Sequence, residues 1–305
     1  MHKCDFCSGS MSLIYNMNDY QIVQCNKCFT STVVSMPEDS EIARYYSGFM
    51  FCANENNKSI FENTIFKEWF ESFKLGKNSK MLDVGGGGGF FSYAFEYFHL
   101  GESYYIDIDN EACKFAMEKL KLKNVINDDV KYLSNRVNHK FDFIYARHLI
   151  EHLKHPLEFI DSCIELIAPG GVFILQFPNG ISLEYLGYPE LLRKRINIIQ
   201  KSNPQFSRLK LLSTICSKKI SHGIDPIRHL WAISPQGISA YLSKKDTDFQ
   251  IKTASLTDPV YSPYYSPANY SSKLRSGIVN KTLVNINGGT HLIAIIRNSI
   301  RPNKG

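Results

Sequence analysis

Residues 81–91 read Met81-Leu82-Asp83-Val84-Gly85-Gly86-Gly87-Gly88-Gly89-Phe90-Phe91, and this stretch decides the fold. Apolar residues around one acid lead directly into five consecutive glycines, and an aromatic, helix-like run FFSYAFEYF follows. A β-carbon on those glycines would hold the backbone away from a ligand, so the run predicts a strand-to-helix turn built for close approach. A dinucleotide-binding G-x-G-x-x-G turn does not fit the register. Counted from Gly85 its last glycine falls on Phe90, and counted from Gly86 it falls on Phe91.

The segments that follow have the spacing of a doubly wound α/β sheet. Ser103–Asp109 is a short apolar strand ending in acids, with Asp107 about 20 residues beyond the turn, where a carboxylate chelates ribose hydroxyls. Asp109 is read as the cap of a helix starting at Glu111. Val125–Val130 predicts a third strand, running into Asp128 and Asp129; either acid contacts ligand, or both belong to a surface turn. Phe141–Ala146 predicts a fourth strand, and Leu166–Asn179 a turn at Pro169-Gly170-Gly171 followed by a fifth. Residues 60–74 show apolar positions at helical spacing, leading into the first strand.

Apolar, apolar, Asp, apolar, Gly-x-Gly-x-Gly, with Asp83, Gly85, Gly87 and Gly89 in register, resembles the first motif of class I S-adenosylmethionine-dependent methyltransferases. Phe141-Asp142 through Arg147, His148, Glu151, His152 and Pro156 is similar to the FD…EH…P signature of the branch that includes the quinone-biosynthesis O-methyltransferases. Residues 166–179 and the terminal run 288–297 resemble that family's fifth strand and its antiparallel last strand. The resemblance implies a Rossmann-like sheet, mostly parallel, and an enzyme that binds S-adenosylmethionine. Its cofactor contacts would be Asp83, Gly85, Gly87, Gly89, Asp107, one of Asp128 and Asp129, and Arg147. It also implies that the turn carries the cofactor's amino-acid moiety and ribose.

Eight cysteines include two matched pairs, Cys4-x2-Cys7 and Cys25-x2-Cys28, while Cys52, Cys113, Cys163 and Cys216 are scattered. Two such knuckles close a tetrahedral sulfur site, the donor set of structural zinc, with no position left for substrate. Residues 1–35 therefore predict a small zinc ribbon, with strands at 13–15 and 20–24, that depends on its metal to fold. Residues 36–80 form a helical linker or lid with the Tyr45-Tyr46 helix. Residues 81–305 form the methyltransferase-like domain. A ribbon, a Tyr-Tyr helix and then the glycine motif is similar to bacterial methyltransferases acting on sugars and cell-surface precursors.

Positive charge is concentrated in one place. Residues 181–230 hold nine lysines and arginines against three acids, an excess equal to the +6 net charge of the whole chain. Beside an active site this basic helical cap favours a small anionic substrate such as a sugar nucleotide or phosphorylated metabolite; otherwise it is a solvated face. The ribbon balances Lys3 and Lys27 against Asp5 and Asp19 and lacks the basic footprint of a nucleic-acid binder.

Within the cap, Ser221–Pro235 resembles the segment in which deoxysugar C-methyltransferases carry a general-base histidine, at a position matching His229. Methyl transfer needs in-line alignment and removal of one proton, and histidine suits that task near neutral pH. His229 leads as catalytic candidate, followed by His152 and Glu151; the other reading of His229 is a histidine stacked on Trp231. The sequence lacks a C-terminal domain like that of the C-methyltransferases, which favours methylation of oxygen over carbon. Carbon or nitrogen methylation of a deoxysugar, RNA methylation, and a non-enzymatic scaffold are the remaining classes. The chain is 305 residues with 44% hydrophobic content, has no run of membrane-spanning length, and starts with a polar segment, which together predict a cytoplasmic protein without membrane insertion. Nothing in the sequence sets an oligomeric state.

Overall fold

The computed structural model describes residues 3–17, 19–47, 53–184, 188–216, 223–265 and 282–298. Strands β1 (Met11–Met17), β2 (Tyr20–Cys25) and β3 (Ser31–Val33) form an antiparallel meander on the N-terminal cysteine pairs. A parallel sheet follows in β4 (Ser79–Val84), β5 (Gly101–Asp107), β6 (Asn124–Asn127), β7 (Phe141–Arg147) and β8 (Ile167–Pro178). After the two-residue β9 (Trp231–Ala232), β10 (Thr247–Ala254) and β11 (His291–Asn298) complete it. The order is β10-β11-β8-β7-β4-β5-β6, with β11 antiparallel to both neighbours and the strands from β8 to β6 parallel. This is the mostly parallel sheet with an antiparallel last strand that the sequence implies.

Strands buried on both faces need apolar side chains at successive positions, and helices to cover each face. Leu82, Val84, Ile144 and Ala146 point to one side, where helices Pro156–Glu165 and Pro235–Leu242 pack. Met81, Tyr105, Phe143 and Tyr145 point to the other, under Thr64–Glu71, Phe90–Tyr97 and Asn110–Glu118. Phe61, Phe66, Phe70 and Phe95 are fully buried on this second face. Each aromatic ring removed from water contributes roughly 1.5–3 kcal/mol, so this cluster anchors the glycine turn.

Three local readings change. The helix expected over 60–74 is two, Lys58–Phe61 and Thr64–Glu71, because Asn63 sits in extended backbone and its side chain accepts the Ile65 amide, capping the second helix. The Pro169-Gly170-Gly171 reversal lies inside β8. There Phe141 pairs with Ile167 and Phe143 with Val172, so the extra residues loop out as a bulge, with Gly170 at φ 78°. The third strand stops at Asn127, ahead of both acids.

The ribbon is not a separate bead. Its sheet takes a fourth strand from far along the chain: β9 pairs with β3 through Ser31–Ala232 and Thr32–Trp231. Phe6 meets Trp231 and Tyr241 edge-on with centroids 5.7 and 6.2 Å apart. The cap helix Pro189–Ser202 packs Ile196 and Ile199 against Tyr15, Met17 and Ile22 of the ribbon. Asn203 also exchanges hydrogen bonds with the backbone of Asn16 at 3.0 and 2.7 Å. Cap and ribbon are thus one packed unit, and the cap's basic Arg193, Lys194, Lys201, Arg208 and Lys210 remain exposed. Among the described residues, no helix is long and apolar enough to cross a membrane.

Candidate active site

The glycine bend sits at the C-terminal edge of β4, the side of an α/β sheet on which ligands bind. Gly85, Gly87 and Gly89 have φ of 64°, 52° and 70°, a left-handed conformation that side chains disfavour. These are the three glycines in register. A β-carbon on Gly87 would meet no protein atom within 4 Å, whereas one on Gly86 would strike Tyr105 at 2.7 Å. The bend therefore opens to a ligand at Gly87 and is closed against the protein at Gly86.

Asp107 ends β5 beside this opening. Its carboxylate accepts the Gly87 amide at 2.8 Å and the Asp109 amide at 2.9 Å. Burial pushes its pKa up, with the two backbone amides acting against that. Asp83 lies beneath the bend, 3% exposed, and accepts the hydroxyl and amide of Ser92 at 3.0 and 3.3 Å. Desolvation raises it to about 7. It ties the bend to the helix behind it. Asp109 caps Asn110–Glu118 by accepting the Glu111 and Ala112 amides.

The two acids after β6 have local duties. Asp128 pairs with Arg136, and Asp129 caps the turn Val130–Tyr132 while facing Lys131 at 3.2 Å. Arg147 ends β7; one guanidinium nitrogen reaches the Tyr261 carbonyl at 3.4 Å, and its buried Nε has no partner. That orphaned donor fits an anionic group bound near the bend.

Beyond Arg147 the chain makes a tight turn, with His148 at φ 51°, and Leu149 packs over Gly85. The turn Ile150–His152 then presents Glu151 and His152. Glu151 is 2% exposed. One of its oxygens meets His148 Nδ1 at 3.2 Å and His152 Nε2 at 3.8 Å, and the other is buried without a partner. His229 arrives from the cap with its ring 4.8 Å from that of His152. Its ring is thus set against another imidazole. The three catalytic candidates stand together. Burial lowers the pKa of His148, His152 and His229, so each imidazole is neutral near pH 7. His222 and Cys52 fall outside the described residues, as do Lys218 and Lys219 of the cap.

At the far end of the ribbon, Cys4, Cys7, Cys25 and Cys28 are all buried, with ligand atoms within 4.8 Å of one another. Cys4 and Cys28 sulfurs lie 3.6 Å apart and those of Cys7 and Cys25 3.4 Å apart, too far for disulfides. Zinc–sulfur bonds of about 2.3 Å in a tetrahedron put sulfurs about 3.8 Å apart. The donor set therefore fits zinc. Amides of Lys27 and Cys28 point at the Cys25 sulfur at 3.4 Å, and Gly9 lies where a β-carbon would come within 2.8 Å of that sulfur.

Residues 61–212 match the family model described as a methyltransferase domain. The chain carries a methyltransferase domain. The ubiquinone biosynthesis O-methyltransferase of Psychrobacter arcticus is 32% identical over 114 residues, covering 35% of this chain and 44% of that relative. The same enzyme of Psychrobacter cryohalolentis is 31% identical over the same shares. The match thus spans less than half the length of these curated relatives. Among solved structures, the plantazolicin methyltransferase BamL in complex with a triazolic desmethylPZN analog and SAH aligns at 16% identity and TM-score 0.48, covering 86% of this chain and 92% of that one. A SAM dependent methyltransferase from Archaeoglobus fulgidus aligns at 17% identity and TM-score 0.47, covering 85% and 99%.

The matched methyltransferase domain contains the glycine bend, Asp107, Arg147, Glu151 and His152, and ends before His229. The supports of this site leave no mark in the sequence. Tyr105 donates to the Gly87 carbonyl at 2.7 Å, and Ser92 holds Asp83. Each reads as an ordinary core or helix residue in the sequence, so periodicity carries no signal of its contact. The Gly223 carbonyl that holds His229 is a backbone atom and has no residue signature.

Proposed function

We propose that this chain transfers a methyl group from S-adenosylmethionine to an oxygen of a small anionic acceptor, such as a sugar nucleotide or a cell-surface glycan precursor. The observation that carries the cofactor reading is the open left-handed Gly87, whose amide is held by the Asp107 carboxylate at 2.8 Å. Asp107 would bind ribose hydroxyls through its remaining lone pairs, and the unpartnered Arg147 Nε suits the cofactor's carboxylate. Asp83 supports the bend from below. One of Asp128, paired with Arg136, and Asp129, which caps the following turn, would contact the adenine.

Oxygen is favoured by the O-methyltransferase name of the matched relatives and by the Glu151, His152 and His229 cluster, which suits removal of a hydroxyl proton. The anionic acceptor rests on the exposed cations of the cap. A zinc ion on Cys4, Cys7, Cys25 and Cys28 would be structural, since four protein sulfurs leave no open position. The reaction would be cytoplasmic, where the cofactor is made and thiolates stay reduced.

Calorimetry with S-adenosylmethionine, followed by label transfer onto a panel of nucleotide sugars, phosphorylated metabolites and tRNA, tests this reading. Heat of binding and label in a small anion are expected. Label entering tRNA alone overturns the acceptor class, and absence of binding overturns the cofactor.

A further inference from the structure

We infer, resting on the methyl transfer proposed above, that His291 binds an uncharged hydroxyl of the acceptor through its Nδ1 while Ser262 holds the other ring nitrogen. His291 opens β11, where it pairs with Pro178 at the end of β8 and with Ala254 at the end of β10. Since β11 runs antiparallel to β8, and β8 runs parallel to β7 and β4, the start of β11 lies on the same edge of the sheet as the glycine bend. From the bend after β4 that edge passes to Arg147 and His148 at the end of β7, then to Pro178, then to His291. A cofactor over the bend, with its carboxylate toward Arg147, leaves the stretch beyond His148 for the second reactant.

Three buried polar atoms without a partner surround His148: Arg147 Nε, Glu151 Oε2 and His291 Nδ1. Arg147 precedes His148 in the chain, Glu151 meets its Nδ1 at 3.2 Å, and the His291 ring lies 5.3 Å from the His148 ring at 72°. A buried polar atom left unpaired is costly, and native interiors hold few of them. Their grouping on the ligand-binding edge marks a site that a polar ligand completes. Arg147 Nε is the cofactor's partner in the proposed arrangement, which leaves Glu151 Oε2 and His291 Nδ1 to the acceptor.

The chemistry of the ring names the group it takes. His291 is 5% exposed; burial, with further pushes from His148 and Arg147, takes its pKa down to about 2, so the imidazole stays neutral. It offers a hydrogen bond and neither attracts an anion nor takes up a proton. Its Nε2 contacts the Ser262 hydroxyl, which either donates to it or accepts from it. Nδ1 is a donor in the first case and an acceptor in the second. A hydroxyl satisfies both, whereas a phosphate or carboxylate oxygen satisfies only the first and would lie close to the Glu151 carboxylate.

Ser262 is itself firmly placed. It is 6% exposed, its amide donates to the Asp258 carbonyl at 2.8 Å, and the Tyr261 carbonyl before it accepts Gln176 Nε2 of β8 at 2.7 Å. Asp258 also accepts the Val260 and Tyr261 amides at 3.0 and 3.1 Å. Ring and hydroxyl are therefore preset. A hydroxyl pinned at Nδ1 is held in one orientation, the alignment on which methyl transfer depends. His291 thus binds and aligns the acceptor and moves no proton.

Nitrogen NMR of the histidine rings in purified full-length protein with S-adenosylhomocysteine, titrated with UDP-glucose and with glucose 6-phosphate, reads the contact directly. The His291 Nδ1 resonance, identified by its change in Ser262→Ala, is expected to move with at least one sugar; a resonance that moves with neither overturns the inference. Label transfer by His291→Asn and His291→Gln separates contact from structural support, because the amide of asparagine falls where Nδ1 stands and that of glutamine where Nε2 stands. His291→Asn is expected to keep the acceptor KM within about threefold of wild type and His291→Gln to raise it at least tenfold, with S-adenosylmethionine affinity within about threefold in both. The reverse order means that the ring only holds Ser262 and overturns the inference, as do equal KM values in the two variants. Where a variant fails to fold, or wild type labels neither sugar, the titration of wild type decides alone. Failure of S-adenosylhomocysteine to bind sinks the methyltransferase reading, and a His291 resonance that still moves with sugar leaves the hydroxyl site standing.

Discussion

Thr32 of the ribbon donates its hydroxyl to the carbonyl of Leu230 at 3.0 Å, and Leu230 in turn donates its amide to the carbonyl of Glu151 at 2.8 Å. One residue of the cap thus joins the N-terminal sheet that carries the four cysteines to the turn that presents Glu151 and His152. His229 immediately precedes Leu230, so the ribbon's third strand sets the position of a candidate catalytic residue.

Removing the ribbon's metal site should therefore reach the catalytic cluster. Cys25→Ser is expected to release zinc and lower the melting temperature by several degrees, since structural metal binding is folding free energy for so small a unit. Methyl transfer should fall at least tenfold while S-adenosylmethionine affinity, set by the glycine bend, changes less than threefold. Zinc analysis, calorimetry and a transfer assay on the same preparation check this. Equal losses of binding and transfer would refute the coupling.

Gly87→Ala and Gly85→Ala should separate ligand from fold. Both impose a side chain on left-handed backbone, costing about 1–2 kcal/mol. At Gly85 the new methyl would also press on Leu149 at 3.0 Å, whereas at Gly87 it enters open space. Gly85→Ala should therefore melt lower than Gly87→Ala, and Gly87→Ala should lose cofactor affinity more than tenfold. Thermal melts with and without S-adenosylmethionine measure both effects.

Asp107→Asn tests the same bend from its acid. A hydrogen bond to a charged group contributes about 1.5–3 kcal/mol, so loss of the carboxylate should weaken the cofactor by roughly 10- to 100-fold. Calorimetric affinities of wild type and variant decide the point, and an unchanged value would remove Asp107 from the binding site.

Asp83 should make stability depend on pH. Burial raises its folded pKa to about 7, above its usual value near 3.8. The folded state therefore binds the proton more tightly than the unfolded chain does. Its protonated form is favourable below about pH 4, and that contribution is lost as pH rises toward 7. Asp83→Asn has no proton to lose, so its stability relative to wild type should increase between pH 4 and 8. A shift of this size is worth at most a few kcal/mol. Denaturant unfolding at pH 5 and pH 8 measures the difference, and a constant offset would overturn the assignment.

The glycine register was legible because left-handed backbone leaves a compositional mark: Gly85, Gly87 and Gly89 occupy the left-handed positions that the spacing marked. Asp109 as a helix cap was legible for a similar reason, since capping is local. The periodicity over 60–74 does not reveal the break between its two helices, because one side-chain cap at Asn63 outweighs apolar spacing. The choice between Asp128 and Asp129 lay beyond composition. It turns on which neighbours, Arg136 or Lys131, fold back onto each acid.

The sequence by itself determined the strand–glycine–helix turn, the acid at the end of the next strand and the paired cysteine knuckles. All of these depend on contacts between residues close in the chain or on the conformational freedom of glycine. Only the tertiary structure decided that His229 joins Glu151 and His152, from 77 positions away along the chain in the case of His152, and that the ribbon borrows β9 to complete its sheet. Those pairings depend on chain closure over long separations, where many registers compete and the burial of Phe6, Trp231 and the cap's apolar face selects one.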